Sequence, residues 1–308
     1  MKSILTAAVL LCLLASCQKE VSIDTGNTSN AGTAPGAGSG TGSTSGLLVK
    51  TVAVTGAETQ TTLYTYDAQK RLETVTTKGT AGGMAVDNYQ KFVRDAAGRI
   101  VKVLQKLGDQ PASGATSDTA VKTFYYPDPS TLNYTYSIGT MSLNTAGFSM
   151  TNIDSTVYNY SGSKITSFNS YMFSSLMPGM PMMSSRYDFS YDASNRVTDM
   201  KMYNDAANPG GNLDLSAQTS FTYTNTAVNN TYATANAAQN LVLFGTPNTT
   251  SDAVSKVVTS SINATPAINV TITMSFVTGA GNKPVSGTAT TVTTGQPTQT
   301  TQYTFYYQ

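Results

Sequence analysis

Phe189-Ser190-Tyr191-Asp192-Ala193-Ser194-Asn195-Arg196-Val197 alternates apolar and small polar residues, reaches an Asp, crosses a tight turn ending in Asn, and returns through Arg to a β-branched residue. That order is a β-hairpin: the alternation suits a strand with one buried face, and Asp and Asn favour the tight connection. Variants recur along the chain. Leu63, Tyr64 and Tyr66 lead into Asp67-Ala68-Gln69-Lys70 and return through Arg71 and Leu72; Tyr89 to Arg94 lead into Asp95-Ala96-Ala97-Gly98 and return through Arg99 and Ile100. Tyr158 and Tyr160 precede Ser161-Gly162-Ser163-Lys164, with Ile165 to Phe168 returning. Gly98 and Asn195 suit the left-handed position that restores the ladder; Lys70 suits it less well. The pairs Asp67/Arg71, Asp95/Arg99 and Asp192/Arg196 repeat at one spacing, which marks turn architecture rather than a unique site.

Elsewhere period-two patterning by Thr, Val, Tyr and Phe predicts strands at Leu48 to Thr55, Phe221 to Tyr223, Val270 to Val277 and Thr301 to Tyr307, with others around Tyr125, Tyr134 and Tyr136. Short helical turns are expected only at Asn236 to Leu243 and Thr250 to Val257. The hairpins are unequally spaced, so the chain is a meander with variable loops rather than a solenoid. About 260 residues of such strands exceed what an open sheet tolerates without curling. The expected fold is all-β: one large twisted sheet of antiparallel hairpins curled into a half-barrel or barrel-like form, with a two-sheet sandwich as the alternative.

Residues 1–16 combine Lys2, an apolar run from Ile4 to Leu14 too short to span a bilayer, and the small-residue site Leu14-Ala15-Ser16 before Cys17. This resembles the lipobox of bacterial lipoproteins, which implies an acylated Cys17. Gln18-Lys19-Glu20 is similar to the surface-export signals of Bacteroidetes lipoproteins. From Gly26 to Gly46 the chain is almost wholly Gly, Ser, Thr, Ala and Asn, so 17–46 form a flexible tether with a reach of roughly 30 Å. Residues 47–308 form one domain. Its hairpins resemble the YD repeat of RHS-type surface proteins at Tyr64 to Leu72, Phe92 to Ile100 and Phe189 to Val197. With the lipobox and tether, the chain resembles uncharacterised Bacteroidetes outer-membrane lipoproteins, a group with no assigned activity and no catalytic residues to transfer.

Composition removes whole classes of chemistry. The chain has no His, and its two Cys are Cys12 and Cys17, so Ser-His-Asp and Cys-His catalysis and the usual zinc and haem ligand sets lack their residues. With 18 basic and 17 acidic residues there is no electrostatic case for nucleic acid. No cofactor or metal site is expected, and membrane contact is expected only through the lipid. Among 18 Tyr, a row on one sheet face could stack on a glycan, with Tyr187, Tyr191, Tyr203 and Tyr223 as candidates. Met172, Met177, Met180, Met182 and Met183 mark a loop suited to a protein partner or to Cu(I), although gap-filling is the commoner use of Met. Most Asp fall in turns, which argues against a carboxylate pair. The expected function is therefore a non-catalytic envelope lipoprotein, a surface binding or scaffold module for a glycan or protein. The alternatives are a periplasm-facing carrier of an apolar ligand and, less favoured, a carboxylate-dependent hydrolase.

Overall fold

The computed structural model describes residues 47–107, 118–128, 130–145, 148–175, 179, 181, 183–205, 212–224, 237–244, 253–262 and 267–308. The strands are β1 (Leu48–Thr55), β2 (Glu58–Tyr66), β3 (Leu72–Ala81), β4 (Met84–Arg94), β5 (Ile100–Leu107), β6 (Asp118–Tyr125), β7 (Tyr136–Thr145) and β8 (Phe148–Ser161). They continue with β9 (Lys164–Ser174), β10 (Met183–Tyr191), β11 (Val197–Asn204), β12 (Asp214–Tyr223), β13 (Val254–Ser261), β14 (Ile268–Thr278), β15 (Pro284–Thr293) and β16 (Gln299–Tyr307). Among the described residues one α-helix, α1 (Ala237–Phe244), lies between β12 and β13.

Each strand pairs with its sequence neighbours, and β1 pairs antiparallel with β16 through Thr51↔Phe305 and Ala53↔Tyr303. The sixteen strands therefore close into one barrel, which discards the sandwich and leaves no unpaired edge among the described strands. The expected helical turn at 250–257 is also corrected: Val254–Ser261 is a strand whose Val254, Val257 and Thr259 are buried. β-Branched residues at these positions fit a pleated surface better than a helix.

Alternation assigns the two faces. One inward row crosses β10 to β4 as Met183, Met172, Asp154, Gly139, Lys122, Val103 and Phe92. The next inward row holds Ser185, Ser170, Thr156, Ser137 and Phe124. Between these rows the outer surface carries Ser184, Tyr171, Ser155, Ile138 and Thr123, and elsewhere on it Arg186 is bonded to Asp188 and Asp87 lies within reach of both Lys78 and Lys106. Much of the apolar content goes inward. Leu72, Ile165, Val197, Phe124, Tyr158 and Phe221 are buried and share one core with Leu241 and Leu243 of α1. Burial of about 1.5–3 kcal/mol per large aliphatic or aromatic side chain makes this interior the main source of stability.

Ladder irregularities fall next to the last strand residue at Thr65/Tyr66, Val93/Arg94, Asn159/Tyr160, Ser190/Tyr191 and Thr222/Tyr223. These bulges shift the side-chain phase by one, so that both Tyr191 before a turn and Val197 after it reach the interior. Even Lys70 takes the left-handed conformation at φ 61, like Asn195 at φ 63 and Gly98 at φ 85.

Candidate functional site

Three regions carry the polar and aromatic side chains with functional potential: the ring of Asp turns, the inner wall of β6 to β10, and the outer face of β6 to β9.

At the Asp turns the carboxylate organises its own loop. Asp192 Oδ1 accepts from the amides of Ser194 and Arg196 at 2.9 Å each, and Oδ2 accepts from Arg196 Nε at 2.7 Å. Asp67 with Arg71 and Asp95 with Arg99 repeat this geometry. The tyrosine that closes the strand then reaches across to the preceding hairpin. Tyr126 donates its hydroxyl to Ile100 O, Tyr160 to Tyr134 O, Tyr191 to Ile165 O and Tyr223 to Val197 O, each over 26 residues of sequence. Tyr66 reaches Leu48 O in the same way, and Arg94, which replaces the tyrosine in its hairpin, reaches Leu72 O at 3.3 Å. Cations of one turn cover tyrosines of the next hairpin: Arg99 over Tyr126 at 4.6 Å, Lys164 over Tyr191 at 5.3 Å and Arg196 over Tyr223 at 4.9 Å. The ring is architecture that ties neighbouring hairpins together.

Burial works to raise the Asp67, Asp95 and Asp192 carboxyls, but the hydrogen bonds and charge of the partner Arg outweigh it and hold all three below the usual 3.8. A lowered folded value means the unfolded chain binds protons first. The stabilisation is therefore complete above the unfolded value and is lost as pH falls through the folded one. Acid titration of unfolding should show stability falling below about pH 4, and the triple variant Asp67→Asn, Asp95→Asn, Asp192→Asn should lose much of that dependence. An unchanged acid slope in the triple variant would contradict the role given to these carboxylates.

The candidate tyrosines do not share a face. Tyr187, Tyr191 and Tyr223 pack against the interior core, and burial pushes Tyr187 up to about 12. Tyr203 alternates with inward Met202 and lies outside, under the Arg186 guanidinium at 5.9 Å. Met172 and Met183 oppose each other as a cross-strand pair on the inner wall, whereas Met177, Met180 and Met182 lie outside the described residues, as does Cys17.

Sequence reasoning did not find two features. The first is internal. Lys122 Nζ lies 2.8 Å from Asp154 Oδ2, spanning β7 from β6 to β8. Gly139 stands between them, with Asp154 Oδ2 3.4 Å from where its Cβ would be. Asp154 also accepts from Thr156 Oγ1 at 3.2 Å and from Ser170 Oγ, while Ser137 Oγ and the Tyr158 hydroxyl are 2.9 Å apart. Burial pulls the Lys122 ammonium down, but Tyr158 and the Asp154 carboxylate outweigh it and leave it raised, hence charged at neutral pH. Contrary to the expectation that acids sit in turns, Asp154 is in mid-strand; no other described acid joins it in a cluster able to hold a metal.

The second feature is external. Tyr125 and Tyr136 stack at 4.2 Å with an 8° tilt and stand exposed beside Ile138, Ile153, Val157 and Tyr171. Strand register brings these residues together on one stretch of outer wall.

No family model matches the chain, and no curated protein matches it. Among solved structures, a porin-like protein from Bacteroides vulgatus is similar at 13% identity with a TM-score of 0.49, over 85% of this chain and 98% of that one. A porin-like protein from Bacteroides uniformis is similar at 13% identity with a TM-score of 0.46 over the same shares.

Proposed function

We propose that the chain is a non-catalytic cell-envelope lipoprotein whose barrel is a water-facing body, held to the outer membrane by lipid on Cys17 and serving as a surface binding or scaffold module for a glycan or protein. The observation that carries this reading is the polarity of the wall. A barrel in lipid needs an outward apolar band about 25 Å tall over a polar interior, and a Lys or Arg on the lipid face near mid-membrane costs about 2–4 kcal/mol. This wall departs from that arrangement, with Arg186, Lys106 and Asp87 outside and Phe92, Phe189 and Phe221 inside, alongside the outward patch around Tyr125, Tyr136 and Ile138. The number of strands is that of a pore, but charged side chains on the outer wall and a large aromatic core inside favour a body in water.

Of the alternatives, a carrier of an apolar ligand needs an empty aliphatic hollow, and the described aliphatic core is occupied by its own side chains, with Ile165 and Val197 at 0% exposure. A hydrolase needs two converging acids, and Asp154 is paired with a lysine instead.

The reading is tested by expressing the full chain and its Cys17→Ala variant in a Gram-negative host and separating soluble from membrane fractions. The wild type should stay with the membrane, and the variant should be released as a folded soluble barrel. A folded Cys17→Ala barrel that stays in the membrane and needs detergent would overturn the reading. Protease treatment of intact cells then reports whether the anchored barrel faces outward or lies on the periplasmic leaflet.

A further inference from the structure

Exposed apolar residues gather on one part of the barrel's outer wall. Tyr125, Tyr136, Ile138, Ile153, Val157 and Tyr171 on β6 to β9 each keep between 36% and 45% of their surface. Strand register makes them neighbours, and the outward positions between them, such as Thr123, Thr140 and Ser155, carry no charge. Elsewhere exposed valines stand opposite hydroxyl residues, Val277 opposite Ser286 and Val292 opposite Thr271. Single apolar residues on a surface are ordinary, whereas a contiguous uncharged group marks a contact with a protein or a membrane. The patch is edged by cations: Lys102 opposes Thr123 from β5, and Arg186, bonded to Asp188, opposes Asn169 from β10. It begins at the Asp-turn end, where Tyr126, next to Tyr125, bonds to Ile100 O. Leu47, at which the tether joins the barrel, is at that end too, since Tyr66 bonds to Leu48 O there.

We propose that this wall rests on a phospholipid surface, so that the barrel lies sideways against the membrane to which Cys17 ties it. The inference rests on the lipid-anchor reading and adds a second, weaker contact with the same membrane. Shape and charge select a bilayer over a second copy of the chain. The barrel wall is convex, so two copies meet along a narrow strip, whereas stable complexes bury about 800 Å² per partner. Lipid deforms around each side chain instead. Pairing about a twofold axis would set Lys102 against Lys102 or against the Arg186–Asp188 pair, and neither supplies a free anion. Anionic headgroups do supply one, and the long stems of Lys102 and Arg186 let their charges reach that layer while the apolar residues sink below it. Tyr125, Tyr136 and Tyr171 combine an apolar ring with a polar tip, the side-chain type that gathers at membrane–water boundaries. Geometry allows the contact: β1 stands nearly across the barrel from β8, and residues 17–46 span up to about 100 Å when extended. The tether also supplies the strength. It holds the wall at an effective concentration of about a millimolar, so a contact too weak to retain a free chain still orients an anchored one.

The test uses the full chain carrying Cys17→Ala, so that the vesicle contact is read without the anchor. The sequence contains no Trp, and Tyr136→Trp therefore places a sole indole reporter in the patch. Tyr306→Trp places one on β16, across the barrel and also exposed. Each is titrated to millimolar lipid with vesicles of phosphatidylcholine and phosphatidylglycerol in equal parts, bearing brominated acyl chains. Emission of Tyr136→Trp should shift to the blue and be quenched saturably at least twofold, while that of Tyr306→Trp should not change. Ile138→Thr with Val157→Thr, which keeps the β-branched shape, should weaken binding at least fivefold. Lys102→Gln should weaken it severalfold on these vesicles and leave binding to pure phosphatidylcholine unchanged. No quenching at any lipid concentration, equal quenching of both reporters, or a stable dimer that Ile138→Thr with Val157→Thr dissolves would each overturn the proposal. Fractionation of a dilute lysate does not hold a contact this weak, so release of Cys17→Ala there tests the anchor alone. Release without quenching would leave the lipoprotein reading intact and remove only the resting face.

Discussion

Gly79→Ala should destabilise the barrel by about 3 kcal/mol or more, an unusually large effect for the addition of one methyl group. Two costs combine. Gly79 has φ 145, a backbone conformation that side chains with a Cβ rarely adopt, and such strain costs about 1–3 kcal/mol. The new Cβ would also lie 2.2 Å from Thr59 O and 2.9 Å from Gln60 Cα. Both are main-chain atoms of the paired strand, so neither can swing aside, and overpacking of this kind adds about 1–3 kcal/mol. Gly56 supplies the control. It has φ 59 with nothing within 4 Å of its would-be Cβ, so Gly56→Ala carries only the left-handed penalty of about 1–2 kcal/mol. Urea unfolding of both variants measures the difference. Equal midpoints would show that β2 and β3 part easily at this point and that the close approach does not constrain the sheet.

The hairpins were legible because every group that makes them lies within a few residues. Asp192, Asn195 and Arg196 form their turn from local contacts alone, and the all-β class follows from repeating that unit. The tyrosine hydroxyl was not legible, because its acceptor belongs to another hairpin 26 residues away and is a backbone carbonyl with no side-chain signature. Phase is the other limit. Tyr187, Tyr191 and Tyr223 share the inward face of their strands with Phe189 and Phe221 by plain alternation, and they pack against the core because that face, not the outer one, closes on itself. The same limit hid the interior ion pair. Lys122 and Asp154 are 32 residues apart, and they meet only once the register of three strands is fixed and Gly139 leaves the space between them. Closure has the same origin. Whether a curled meander stays open depends on β1 meeting β16, which no local pattern announces.

Tyr134 should give opposite results in two variants, and the contrast identifies what the residue contributes. It lies just outside β7, is 1% exposed, and stands among aromatic rings: Phe124 and Tyr158 at 4.7 Å each, Tyr126 at 5.9 Å and Tyr160 at 6.5 Å. Its carbonyl accepts from Tyr160, and that bond survives any side-chain change. Its own hydroxyl, however, is buried without a hydrogen-bond partner. Removing the whole ring should cost about 3–5 kcal/mol, the range for emptying a large aromatic from a core, so Tyr134→Ala should unfold at much lower denaturant. Tyr134→Phe removes only the unsatisfied oxygen, whose desolvation costs about 1–3 kcal/mol. It should therefore be neutral or stabilising. Phenylalanine at the neighbouring position distinguishes the cases, since Tyr160→Phe breaks a 2.9 Å bond to Tyr134 O and should lose about 1 kcal/mol. If Tyr134→Phe proved as damaging as Tyr160→Phe, the Tyr134 hydroxyl would have to be hydrogen-bonded, for instance to an internal water. The aromatic cluster around Tyr134 would then be wet rather than dry.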